Sequence, residues 1–286
     1  MGKKSNDSAD LILKQRDTDY DEYAQAFEEL EYKYNGLRDS YNNHISIINN
    51  ERVAMREEIR RLYDFLKAIG GSMGNRLSIF DFSMEDAAVR SSMKMLPKLE
   101  DPNVESTYGL ADSLVRTIAV KSKNKKKLQV FTYEVIKERE KQQKDIEEKN
   151  LSIAYLSDAN IIAELYRNII IIVRDAIREK ILPELGLIKA FLYADAIREQ
   201  ILDGMTPTEV YPNSIEEYKG TRQDIHYQFV RNVVDFYTIT TEFFKRKILT
   251  EIVSDRSVTD EEKEEFNQQI EGIKKSVNRI EEMKVL

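Results

Sequence analysis

From Tyr20 onward the chain repeats an apolar side chain every three and then every four positions: Tyr20, Tyr23, Phe27, Leu30, Tyr34, Leu37, Tyr41. That spacing is the seam of a coiled coil, and it is incompatible with a strand, whose faces alternate every two residues. Ile45 follows Tyr41 by four, and the pattern resumes through Ile48, Met55, Ile59, Leu62, Leu66 and Ile69, with Arg52 in one seam slot. Two fours in succession form a stutter, which locally unwinds a supercoil. A helix over residues 20–69 would be ~75 Å long at 1.5 Å per residue. Tyr fills four of the first seven seam positions. Tight parallel zippers prefer branched aliphatics there, and a buried hydroxyl needs a partner. The seam is therefore expected to meet a non-identical helix, or an antiparallel one, with its hydroxyls at the wet edge.

Composition agrees with long helices. Only 10 Gly and 5 Pro interrupt 286 residues. Apolar residues make up 41 % and charged residues 33 %, a balance that suits an elongated helical protein better than a globule with a large core. Without cysteine, disulfides and thiolate chemistry are excluded. The net charge of −7 means that any contact with nucleic acid or anionic lipid must use a local patch. Met1 to Asn6 has no apolar stretch of the secretory kind, and Asn6 stands where a myristoylation motif wants Ser or Thr. The longest purely apolar run, Ile169 to Val173, is far too short to span a bilayer. A cytoplasmic protein is expected.

Four regions follow: a disordered 1–10, a coiled-coil helix over 11–70, connecting helices over 71–150 with a Lys-rich loop, and a helical bundle over 151–286. Gly70, Gly71 and Gly74 should end the first rod. Ser83 with Asp86 caps a helix running to about Met95, and Asp101-Pro102 opens another. After the loop, Leu128, Phe131 and Val135 start a helix whose far half, Lys137 to Lys149, is nearly all charge. Ile162, Leu165, Tyr166, Ile169, Ile170, Val173, Ala176, Ile177 and Ile181 keep a 3.6 period, and Ile161, Ile171 and Ile172 widen the stripe, so this helix is expected to be wrapped on several sides. Pro183 should separate it from a second helix ending near Leu202. The two share an octapeptide: Asp175-Ala-Ile-Arg-Glu-Lys-Ile-Leu182 and Asp195-Ala-Ile-Arg-Glu-Gln-Ile-Leu202. Two copies fall short of a repeat architecture and read as two amphipathic helices using one solution. Ser214 with Glu217, and Thr259 with Glu262, are capping boxes. The last helix carries a second seam: Phe266, Ile270, Ile273, Val277, Ile280.

Chemistry is sparse. With only His44 and His226, no Glu-x-x-His pair or zinc ligand set can be built, so no metal or cofactor is expected. His44, beside the stutter, reads as a polar residue setting register. No nucleophile elbow, phosphate loop or dinucleotide fingerprint occurs, so no enzyme is expected. Arg167, Asp175 and Arg178 sit in apolar surroundings suited to a buried ion pair. Lys121, Lys123, Lys125, Lys126 and Lys127 form the one patch suited to phosphate or anionic lipid. No Arg or aromatic accompanies them for base stacking.

The sequence thus predicts an all-α protein, an N-terminal coiled-coil arm followed by a multi-helix bundle. The expected function is structural: oligomerisation or docking into a larger complex through the seam of Tyr20, Tyr23, Phe27, Leu30, Tyr34, Leu37, Tyr41, Ile48, Met55 and Leu62. The alternative is a subunit of a nucleic-acid-associated complex touching the phosphate backbone through the lysine loop.

Overall fold

Every described element is helical. The computed structural model describes residues 3–69, 95–99, 125–208, 210–245 and 259–283. Helix α1 is Lys3–Ile69, α2 is Lys125–Asp175, α3 is Leu182–Leu202, α4 is Asp224–Lys245 and α5 is Asp260–Glu282. A π-helical segment, Ala176–Ile181, joins α2 to α3, and a 3₁₀ turn, Ile215–Tyr218, precedes α4. The all-α fold is as the sequence predicts. Helix α1 starts at Lys3, within the stretch expected to be disordered. The expectations at Gly70–Gly74, Ser83–Asp86 and Asp101–Pro102 lie outside the described residues, as do Lys121 and Lys123. Lys125, Lys126 and Lys127 open α2 rather than lying in a loop.

The chain divides into two compact units, residues 1–42 with 98–160, and residues 43–97 with 161–286. In the first, α1 and α2 run side by side in the same direction. The Arg139 guanidinium donates to Asp19, the Lys149 ammonium lies 4.3 Å from the centroid of the Tyr34 ring and 5.7 Å from that of Phe27, and Asn160 Nδ2 donates to the Leu37 carbonyl at 2.9 Å. The first half of the seam therefore meets a non-identical helix of its own chain. Tyr20 is exposed and Tyr34 half-buried, near the wet edge expected for them, but Tyr41 is fully buried. Burial pushes the Tyr41 phenol well above its ordinary range.

The second unit holds the larger core. Ile48, Met55 and Leu62 of α1 are fully buried. Tyr166 stacks on Phe243 at 5.4 Å and meets Phe244 edge-on, and Phe243 stacks on Phe266. The seam slot held by Arg52 has its explanation here: the guanidinium is buried and its Nη2 donates to the Tyr166 hydroxyl at 2.7 Å. Helix α5 packs on α4 and on the π segment, burying all five of its seam residues, Phe266, Ile270, Ile273, Val277 and Ile280.

Pro183 does not separate two helices. The helical run continues from α2 through the π segment into α3, with Pro183 in the first turn of α3. The Leu182 N–H reaches back five residues to the Ile177 carbonyl. That wide turn lets the chain pass a ring that lacks an N–H donor and would clash in an α-helical register. The real stop is Gly204, at φ +76°. Met205 N–H donates to the Gln200 carbonyl at 2.9 Å and Gly204 N–H to the Ile201 carbonyl at 3.0 Å, the paired bonds of a glycine helix terminus.

Both capping boxes are present. Ser214 caps the short 3₁₀ turn and Thr259 caps α5. Glu262 N–H donates to Thr259 Oγ1 at 3.2 Å, and Thr259 N–H to Glu262 Oε2 at 2.9 Å. A further device escapes periodicity altogether. Asn49 accepts from Leu96 N–H at 2.7 Å and donates to the Leu96 carbonyl at 3.0 Å. Asn42 does the same with Leu99, at 2.8 and 3.0 Å. Each amide thus satisfies both the N–H and the carbonyl of one leucine.

Candidate functional site

Groups with shifted acidity are candidates for chemistry. His226 is buried against Phe191, ring centroids 4.7 Å apart, and burial holds its pKa below the ordinary histidine value. His44 is lowered mainly by burial and secondly by Arg167. Neither His226 Nδ1 nor His44 Nδ1 has a hydrogen-bond partner among the described residues. Among those residues no group of three or more His, Asp or Glu is placed to hold a metal ion. Tyr218 donates to Asp195, and burial together with that carboxylate pushes its phenol up to about 12. A phenol held protonated in this way ties the 3₁₀ turn to α3. It is no base at neutral pH.

The ion pair foreseen among Arg167, Asp175 and Arg178 is not formed. Arg178 is exposed and Arg167 bonds its neighbour Asn168. The guanidinium of Arg174 instead bridges Glu51 and Asp175. It projects from the side of α2 that meets α1, whereas Arg178 lies within the π segment, where the wider turn changes the phase of the faces. One cleft of 350 Å³ between α4 and α5 is lined by Asn232, Asp235, Thr238, Gly272, Lys275 and Arg279. Its lining carries both signs of charge together with the hydroxyls of Thr238 and Ser276.

The seam residues are accounted for within the chain. Tyr23, Tyr41, Ile48, Met55 and Leu62 are buried, Phe27, Leu30, Tyr34 and Leu37 are half-buried, and Tyr20 alone is exposed. The apolar surface left open lies elsewhere. Nineteen large apolar side chains are exposed among the described residues, and six of them, Leu187, Tyr193, Ile197, Ile201, Leu202 and Met205, fall within the single stretch of α3 and its terminal turn. Ile161 and Ile172, expected to be covered, also face outward.

Helix α3 has two apolar sides. Leu185, Ile188, Leu192 and Ala196 are buried. Leu187, Ala190, Ala194, Ile197 and Ile201 are all exposed and spaced 3, 4, 3 and 4, so at 3.6 residues per turn they form a stripe about half a turn away from the buried side. No charged residue stands on that stripe. The sequence held this signal, since a helix apolar on all sides is normally covered on all sides. Helix α2 carries the same signal at Ile161, Ile171 and Ile172. No family model, curated protein or solved structure matches this chain.

Proposed function

We propose that this protein is a structural or assembly component that docks onto other protein through its helices. The observation that carries the reading is the outer stripe of α3: a continuous uncharged helix face left open in a chain that is one-third charged. Exposed apolar patches of this kind mark interaction sites more often than solvent-facing surface. The terminal seams support the same role less directly. Most of their large residues are already used inside the chain, so they supply a stiff helical frame while α3 supplies the contact.

The test is the size of the native assembly. Light scattering on the purified protein, with a pull-down from the native host read by mass spectrometry, is expected to show a species larger than one chain or a stoichiometric protein partner. A compact monomer that recovers no partner overturns the reading.

A further inference from the structure

We propose that the outer face of α3 is the contact between two copies of this chain, packed antiparallel about a two-fold axis. The inference rests on the assembly reading and names its surface and its occupant.

Self-complementarity selects a second copy. When two α3 helices are laid antiparallel with residue numbers of facing positions adding to about 391, Ile197 of each copy meets Ala194 of the other. Ile201 meets Ala190, and Leu187 meets the turn of Gly204 and Met205 that ends the helix. Large side chains thus face small ones at the centre, where helices must come closest, and two flexible or branched side chains close each end. Ala190 and Ala194 are exposed, so nothing in the chain itself requires them to be small. Gly186 repeats the point: a Cβ added there would meet nothing within 4 Å, yet glycine inside a helix is unfavourable by about 0.5–1 kcal/mol relative to alanine.

The flanking positions fit the same register. Arg198, which pairs with Asp195 of its own helix at 2.7 Å, and Glu184 are the charged residues beside the stripe. In this register Arg198 lies near Phe191 of the second copy, while Tyr193 lies beside Gln200. No like charges are brought together, although each chain carries −7 overall. The contact is isologous, so it closes at two copies and does not propagate. Area sets its strength. Leu187, Ile197, Ile201 and Met205 are 47, 38, 59 and 54 % exposed, which makes a patch of several hundred Å², less than the ~800 Å² per partner of a standard stable interface. The dimer is accordingly a weak one, filling over a micromolar to submillimolar range.

Sedimentation equilibrium of the full chain over that range tests it, together with Ala194→Glu. The substitution sets two carboxylates near the axis but lies on an exposed helix position of the single chain, so circular dichroism should not change. The expected result is a wild-type mass rising toward twice that of the chain, with association weakened more than about tenfold in the variant. Because the chain has no cysteine, register can be read separately. Ala190→Cys mixed with Ile201→Cys should cross-link, and Leu187→Cys alone should not.

A wild-type monomer at every concentration overturns the inference, whether another part of this chain covers the face or nothing does. A dimer indifferent to Ala194→Glu, or Leu187→Cys linking readily to itself, overturns it too. In the first of these two cases the assembly reading survives on another surface. That reading falls with the inference only if neither self-association nor a partner is found.

Discussion

The octapeptide that occurs twice in this chain meets opposite fates. In the first copy Ile177 and Ile181 are 1 % and 0 % exposed; in the second, Ile197 and Ile201 are 38 % and 59 % exposed. The local sequence is nearly the same and both copies are helical, although the first lies in the π segment and the second in α3. What separates the matching isoleucines is cover. The π segment that holds the first copy is packed by α5, whereas the matching residues of α3 look away from the core. Hydrophobic periodicity therefore specifies a face, and the rest of the fold decides whether that face is filled. The lesson makes the second copy informative, because a motif able to receive a helix has been left open.

The largest effect expected is at the covered copy. Ile177→Ala or Ile181→Ala should lower stability by about 2–5 kcal/mol in urea denaturation, since each removes buried methyls and leaves a cavity. Ile197→Ala and Ile201→Ala, measured at concentrations where the chain is monomeric, should change it by no more than about 0.5 kcal/mol. Equal losses at the two pairs would mean that the second copy is covered as well, and the contrast would collapse.

The covered side should be as intolerant of polar truncation. Tyr166→Phe leaves the buried Arg52 guanidinium without the hydroxyl that accepts its Nη2 donor at 2.7 Å. A loss of about 1–3 kcal/mol is expected, in the range for a buried donor deprived of its acceptor. An unchanged midpoint would show that the guanidinium is satisfied in some other way and that this part of the core is less committed than Ile177.

Much of this was open to reading from the sequence. The 3-4 spacing located α1 and α5, and two four-residue capping patterns placed the starts of the 3₁₀ turn and α5, because periodicity and caps are local. Pro183 misled for a reason equally physical: its usual effect assumes an α-helical register, and the π turn before it changes the register. The amide clamps of Asn42 and Asn49 on Leu99 and Leu96 depend on residues 47 and 57 positions apart, which no window of one or two turns contains. The outer stripe of α3 was present as a pattern, but its meaning lay in the absence of a neighbour, and periodicity does not report absence.

Acidity offers a smaller, directional test. Burial lowers the pKa of His226 from 6.5, and its ring lies on Phe191, on α3. Glu184, also on α3, pulls the other way. The folded protein then binds the proton less readily than the unfolded chain, so this contribution is complete above about pH 6.5 and is lost as pH falls toward the folded value. Denaturation midpoints measured from pH 7.5 down to 5.5 should decline. His226→Gln should flatten the decline, leaving a remainder from His44, which is lowered in the same direction. A slope untouched by His226→Gln would place the proton-linked group elsewhere.

The smallest effect is the one with the most informative sign. Gly186 lies within α3, and a Cβ there would meet nothing within 4 Å. If the outer face is bare in the single chain, Gly186→Ala should raise stability by about 0.5–1 kcal/mol, through the ordinary helix preference for alanine and the smaller entropy of the unfolded chain. The measurement belongs at low concentration, because binding to the folded state alone adds stability as concentration rises. A decrease would mean that something already presses against this side of α3, and the contrast with the first octapeptide would be one of degree. An increase accompanied by weaker association at high concentration would instead show that the glycine leaves room for a neighbour from outside the chain, at the expense of the helix that carries it.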